Sequence, residues 1–484
     1  MKKTLLVSLV AAAAASSAVA GASRSPDPVG RYVVALDGET AKSADWQKVA
    51  DALVAKYSAK LVRYDASSVE GILPELRKLK PRYVCFVTAP ERAGRSLVVE
   101  AAQTLRKIDD DPYGDAIWGI VTGYNADDAM RMVEGDPIEV ESIATSMGGS
   151  RTLDGWKHGF ASDEGNMGRM WVKLPGSTNT VEIATSPNPA KSLAAAFRGI
   201  PVDYWVTSGH ATEHDWQIIY NKPKGGCFVH KHGRLVAVTS QNDYALVFSP
   251  NPKVYIAAGN CLIGHVDGKD CMATAWMHTG GAVQMLGYTV ETFYGFMGWG
   301  AKSMFESGRY TAAEAFYLNN QVLLWTIGKL NKDLRDVEIP AKEKLSTRKF
   351  IRMMQGRIRT QDELGLTWDR DTFAFYGDPA RSVRFPEKRK DIDIKVSGDK
   401  ITLDFLRDVS FPDKIEVKST RPVAVLLDKA PARGAAIFAE GGEEPLADSV
   451  VTDVFALIPL TGKHPKGEKL AFTIRTGKSS AAAK

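Results

Sequence analysis

Apolar positions along the chain follow two different rhythms. Between residues 31 and 135, short near-continuous apolar runs alternate with stretches in which apolar residues recur three and four positions apart. The runs at 31–36, 61–64, 83–87 and 117–121 read as strands. Trp46, Val49, Ala50, Leu53 and Val54, then Ile72, Leu73, Leu76 and Leu79, then residues 98–108, read as helices. Strands that are apolar on both faces and separated by helices predict parallel βαβ units with helices covering the sheet. Residues 150–335 repeat this style with longer insertions. Strands are expected at 202–207, 254–258 and 282–286, hairpins between 216 and 248, and a long amphipathic helix over 311–331. Residues 335–388 are charged and carry Pro340, Pro379 and Pro386, as a connector wrapped on the core would. From 390 the rhythm changes to period two. Ile392, Ile394 and Val396, then Ile401, Leu403 and Phe405, predict short strands of a β-sandwich.

The domain plan is therefore a leader over 1–20, an α/β subdomain over 30–150, a second α/β subdomain over 151–335, a connector over 336–389 and a sandwich over 390–478. Lys2 and Lys3, the apolar run from Leu5 to Ala15, and Ala18-Val19-Ala20 compose a cleavable signal peptide, too short to span a bilayer. No later stretch reaches 18 apolar residues, so no membrane span is expected, and export predicts a secreted or periplasmic chain. Composition is that of an ordinary globular protein, with 44% hydrophobic and 25% charged residues. Its net charge of +5 is small and evenly spread, which argues against a nucleic-acid partner. Four cysteines in 484 residues are too few for a disulfide framework.

Chemistry-bearing residues are crowded into one region. Six of the eight histidines and three of the four cysteines lie between 210 and 278. His210 and Cys261 each stand just past the end of an expected parallel strand, the edge where open α/β sheets bind ligands. Small residues flank both. An imidazolium beside a thiol would favour the thiolate and could then protonate a leaving amine. The backbone N–H groups of Ala211 and Cys261 could steady an oxyanion. A disulfide from Cys261 to Cys271, or a buried structural role, is the alternative for the cysteine. A hydrogen-bonded strand-end residue is the alternative for the histidine.

The two blocks Tyr204-Trp205-Val206-Thr207-Ser208-Gly209-His210 and Val254-Tyr255-Ile256-Ala257-Ala258-Gly259-Asn260-Cys261 resemble the catalytic blocks of clan CD cysteine peptidases, in which one apolar strand ends in a histidine and another in the nucleophilic cysteine. The residues lie 51 positions apart. Within the clan the chain resembles the gingipain-type peptidases. Gly264, Asp267-Gly268, Cys271-Met272-Ala273 and Gly280-Gly281-Ala282-Val283 are similar to the segment that follows that family's cysteine. Asp109 to Asp115 with Gly119 and Ala126 to Ala129, then Phe305-Glu306-Ser307-Gly308, Ala313-Glu314-Ala315 and Tyr376-Gly377-Asp378-Pro379, are similar to its other signatures. The resemblance spans roughly 30–478. It implies a caspase-like α/β fold in two subdomains with an immunoglobulin-like module behind it. It also implies a cysteine endopeptidase acting on a protein or peptide substrate, with Cys261 as nucleophile and His210 as acid and base. No cofactor is required by it, and a structural calcium ion is compatible with it. One departure stands out: Ala211 occupies the position after the histidine where the family usually has glycine, and a positive φ there would strain an alanine.

Two other readings stay open. A non-catalytic scaffold could bind a peptide or surface partner in the same cleft. His210, Glu213 and His214 also match the His-x-x-Glu-His string of inverzincins, which would make a zinc hydrolase. That chemistry needs both histidines on one helix face, whereas a strand and Gly209 precede them here. Cys227, His230 and His232 are further conceivable ligands, the two histidines alternating onto one face of an expected strand. Gly295 to Gly300 is glycine-rich without a phosphate-loop pattern, and Asp203, Asp243 and Asp267 are acids that could orient a neighbour or meet a basic side chain.

Overall fold

The computed structural model describes residues 27–476 except 66–67, 167, 186–188, 219–225, 240–243, 250, 342–344 and 415–420. The expected signal peptide, the chain's last residues and Asp243 lie outside them. A single twelve-stranded sheet organises the first four-fifths of the chain. Across it the strands run Lys60–Tyr64, Tyr32–Asp37, Tyr83–Val87, Ile117–Val121, Phe373–Tyr376, Ala282–Tyr288, Lys253–Asn260, Tyr204–Gly209, Ser142–Ser146, His158–Ser162, Arg169–Lys173 and Val181–Ala184. The first four are mutually parallel. So are the five from Ala282–Tyr288 to His158–Ser162. The α/β fold with helices over a mainly parallel sheet, followed by an antiparallel sandwich, is the one the apolar rhythm predicted.

The join between the halves departs from the expected plan. Phe373–Tyr376, from the segment read as a connector, inserts between Ile117–Val121 and Ala282–Tyr288, parallel to the first and antiparallel to the second. The two parallel sets therefore run in opposite directions, and their carboxyl ends open on opposite edges of one sheet. Four strands at the far edge, from Ser142 to Ala184, escape the apolar pattern because they are short, the first two rich in Ser, Thr and Gly and the last two broken by charged residues.

The helix Ala312–Leu330 matches its expected place but not its expected polarity. It is buried nearly all round. The sheet flanks it on one side: Phe316 meets Trp118 edge-on at 5.4 Å. The sandwich flanks the other: the Trp325 indole donates to the Asp448 carbonyl at 2.9 Å. A capping box between Thr311 and Glu314 satisfies its first turn. Behind it, Ile392–Ser397, Lys400–Phe405, Lys469–Thr476 and Ala435–Ala439 form one antiparallel sheet, and Val423–Leu426, Phe455–Ile458 and Val450–Val451 form another. Tyr310 donates to the Ala424 carbonyl at 2.7 Å, and the buried Arg82 guanidinium caps the carbonyls of Leu427 and Val454. Asp378, in the Gly-Asp-Pro turn, accepts from the hydroxyls of Tyr32 at 2.9 Å and Tyr57 at 2.6 Å, and from Lys56. That turn is a structural clamp on the first half of the sheet.

Candidate active site

The strands Tyr204–Gly209 and Lys253–Asn260 are adjacent, parallel and in the interior of the sheet. Their register pairs Ser208 with Gly259 and Gly209 with Asn260. His210 and Cys261 are the next residue on each. Two side chains 51 positions apart in sequence thus leave the sheet at neighbouring points on one edge. A break in register between Thr207 and Ser208 adds a residue to the cysteine strand, and buried polar groups hold it. Asn260, fully buried, donates to the Gly209 carbonyl at 3.1 Å and accepts from Thr207 Oγ1 at 2.5 Å, which also meets the Tyr255 hydroxyl at 2.8 Å. The Trp216 indole donates to the Ser208 carbonyl at 2.9 Å. Asp203, whose role the sequence left open, takes up the amides of Glu141 and Ser142 at 3.1 Å and straps the start of the histidine strand to its neighbour.

The backbone turns sharply on both sides of the edge. Gly209 has φ +109°, so the left-handed residue precedes the histidine. Ala211 is not among the positive-φ residues, and the strain anticipated at that alanine does not arise. Instead Leu262, directly after the cysteine, holds φ +57°, a conformation that costs a branched side chain about 1 kcal/mol. It is held there by its amide on the Val290 carbonyl at 3.0 Å.

All four cysteines are free thiols, which removes the Cys261–Cys271 disulfide. Cys271 instead caps the helix Met272–His278, its sulfur 3.4 Å from Thr274 Oγ1. Cys261 is half-buried. Its sulfur accepts from the Thr292 amide at 3.2 Å and lies 3.6 Å from the Thr292 carbonyl. Burial pushes its pKa up, the Thr292 amide offsets part of that, and the Glu291 carboxylate adds to it. The sequence predicts that the thiolate is favoured; here desolvation, which disfavours the anion, outweighs the hydrogen bonds that favour it. His210 is exposed at the rim.

Sequence reasoning passed over several groups that meet here. Glu164, in the turn after His158–Ser162, accepts from Ser208 Oγ at 2.9 Å. Its carboxylate would lie 3.4 Å from a Cβ placed on Gly209. Burial raises its pKa to about 7, against the opposing Ser208 hydrogen bond. Nothing in a loop reading Ser-Asp-Glu-Gly signals this; only the pairing of distant strands brings it against Ser208 and Gly209, the two residues before His210. Trp299 lies against Gly259, 3.1 Å from where a Cβ would stand, and it and Phe293 are the exposed aromatics of this rim. The glycine-rich segment 295–300 opens the helix Phe296–Glu306. Gly298 lets that helix touch the cysteine strand directly, since a Cβ there would meet the Ala258 carbonyl oxygen at 2.1 Å.

No protein-family model matches the chain, and no curated protein matches it either. Two solved structures are similar to it over most of its length. One is the Arg-specific cysteine proteinase gingipain R, at 11% identity over 94% of each chain with a TM-score of 0.41. The other is a protease, at 10% identity over 95% of this chain and 97% of that one, with a TM-score of 0.38. Similarity of that degree assigns no residue a role.

The zinc-hydrolase geometry is absent. Residues 210–214 are loop and bridge, so His210 and His214 do not share a helix face. Among the described residues, His210 joins no group of metal-ligating side chains. Cys227 and His230 lie on one strand three positions apart, on opposite faces, and His232 sits in the following turn at φ +49°. Two other groups do converge: Glu213, His214 and Asp267, and, on the first half of the sheet, Asp109, Asp111 and Asp115. In the second group burial and mutual repulsion raise Asp111 to about 6 and Asp115 to about 9. No helix among the described residues is long and apolar enough to cross a membrane.

Proposed function

We propose that the chain is an exported cysteine endopeptidase in which Cys261 is the nucleophile and His210 the acid and base. The observation that carries this is the register of the two central strands, Gly209 opposite Asn260, which delivers His210 and Cys261 to one edge. Because the resting sulfur is a thiol, the histidine takes its proton as the sulfur attacks the peptide carbonyl, and returns it to the departing amine. Water then hydrolyses the thioester, again with the imidazole as base. The N–H groups of Ala211 and Cys261 face the developing oxyanion, each worth about 3 kcal/mol of transition-state stabilisation. Glu164 holds Ser208, two residues before the histidine, through its hydrogen bond and so steadies the strand end. The substrate is a peptide whose uncharged side chains rest on Trp299 and Phe293, which fits their exposure.

Peptide cleavage by the purified chain, followed on a mixed peptide library, tests this. Cys261→Ala and His210→Ala abolish cleavage on our reading, and iodoacetamide inactivates the enzyme in parallel with alkylation of Cys261. Cleavage that persists in Cys261→Ala overturns the assignment. A second reading, a peptide-binding scaffold without turnover, is favoured by the raised thiol pKa. Saturable peptide binding with no product, equal in the parent and Cys261→Ala, would select it.

A further inference from the structure

A second constellation ties together the two loops that leave the strands of the candidate site. Thr212 Oγ1 accepts from the amides of His214 at 3.1 Å and Asp215 at 3.2 Å, which fixes the turn after the histidine strand. The Glu213 carbonyl accepts the Met272 amide at 2.8 Å, so this turn already lies on the loop that follows Cys261. Side-chain ligand atoms of Glu213, His214 and Asp267 all lie within 4.8 Å of one another. His214 Nε2 is 3.8 Å from Asp267 Oδ2.

The other nitrogen of His214 is occupied. Its Nδ1 stands 3.0 Å from Nε2 of His230, reached from the neighbouring strand Cys227–Lys231. Two imidazole nitrogens at that distance share one proton. With the proton on His214 Nδ1, donated to His230, the lone pair of His214 Nε2 faces two carboxylates. Three acceptors then converge, and among the described residues no lysine or arginine is paired with either carboxylate. An imidazole fixed through one nitrogen with the other turned toward carboxylates is the usual arrangement of a metal-ligating histidine and its outer partner.

We infer that Glu213, His214 and Asp267 form a site for a divalent transition-metal ion, with His230 orienting the histidine ligand. One imidazole and two carboxylates suit zinc, cobalt or manganese, whereas calcium takes oxygen ligands alone. Tetrahedral bonds of about 2.0–2.1 Å put ligand atoms roughly 3.4 Å apart, so closure needs a few tenths of an ångström for the His214–Asp267 pair and at most about 1.4 Å for the others. The bound ion is a clasp: it joins the turn after His210 to the loop after Cys261. It does not touch the thiol, and the inference stands whether or not the chain cleaves peptides.

Zinc binding to the full-length chain, by equilibrium dialysis with elemental analysis, tests it. The expected result is one saturable zinc per chain, with a rise in Tm on zinc and none on equimolar calcium. His214→Ala and Asp267→Asn each weaken binding at least tenfold and lose the Tm rise. Glu213→Gln and His230→Gln weaken it less. Both His214 and Asp267 are solvent-exposed, and circular dichroism confirms that the variants fold. Cys261→Ala and His210→Ala retain the zinc. Absence of saturable binding, undiminished binding in His214→Ala and Asp267→Asn, equal protection by calcium, or loss of zinc in Cys261→Ala overturns the inference.

Discussion

Glu164→Gln separates a carboxylate kept for chemistry from one kept for stability. In the folded chain burial raises this carboxyl from 4.5 to about 7. The folded state therefore retains a proton that the unfolded chain releases between those pH values. A raised pKa stabilises most below the unfolded value, and that contribution is lost as pH rises through 7. At about 1.4 kcal/mol per pH unit the full difference corresponds to roughly 3.4 kcal/mol. The side chain keeps substantial solvent contact, and screening reduces this to about 1–2 kcal/mol. Glutamine preserves an acceptor for the Ser208 hydroxyl and carries no titration. Urea unfolding of both proteins at intervals from pH 4.5 to pH 8.5 is the assay. The variant is expected to match the parent near pH 4.5 and exceed it by about 1–2 kcal/mol at pH 8.5. If the carboxylate supports His210, kcat above pH 7 falls by about tenfold or more in the same variant, while KM is kept. Parallel stability curves across the whole range would refute the buried, destabilised carboxyl and with it the reason for keeping one there.

Other consequences concern the frame of the site. Asn260→Ala leaves the Gly209 carbonyl and Thr207 hydroxyl without their buried partner and should cost about 2–4 kcal/mol in denaturant unfolding, with kcat falling as the two strand ends part. Gly298→Ala would gain about 1 kcal/mol in an exposed helix, but here its Cβ meets a backbone oxygen at 2.1 Å; a lowered Tm equivalent to about 3 kcal/mol is expected, and a raised one would contradict the packing. Trp299→Ala removes the exposed aromatic beside Gly259 and should raise KM for peptides about tenfold with little change in kcat. Asp115 holds a proton to about pH 9 in the folded chain, so its contribution to stability declines as pH rises from about 4 toward 9; Asp115→Asn should flatten that decline in thermal scans at fixed salt.

Much of the frame was legible in the residues. Runs such as 83–87 and 117–121, rich in β-branched residues and bounded by turn residues, read as strands and are buried on both faces, and the capping box at Thr311 marks the helix start that the apolar spacing implied. The far edge of the sheet was not legible: Ser142–Ser146 and His158–Ser162 carry too few large apolar residues to stand out from loop. Nor was Phe373–Tyr376, four residues inside a charged segment that gain their meaning only from the strands on either side. The amphipathic character assigned to residues 311–331 failed because a helix covered by a sheet on one face and a sandwich on the other has no wet side.

The sequence by itself determined where chemistry could be housed, namely two strands that end in a histidine and a cysteine among small residues. Tertiary structure alone decided that these ends are neighbours, that Gly209 and not residue 211 takes the left-handed turn, and that Glu164 packs against Ser208. It also decided that burial raises the sulfur's pKa, and that His214 meets His230 and Asp267. The division has a physical cause. Periodicity and turn chemistry are set within a few residues, whereas strand order, register and the burial that moves a pKa arise from contacts between segments far apart in the chain.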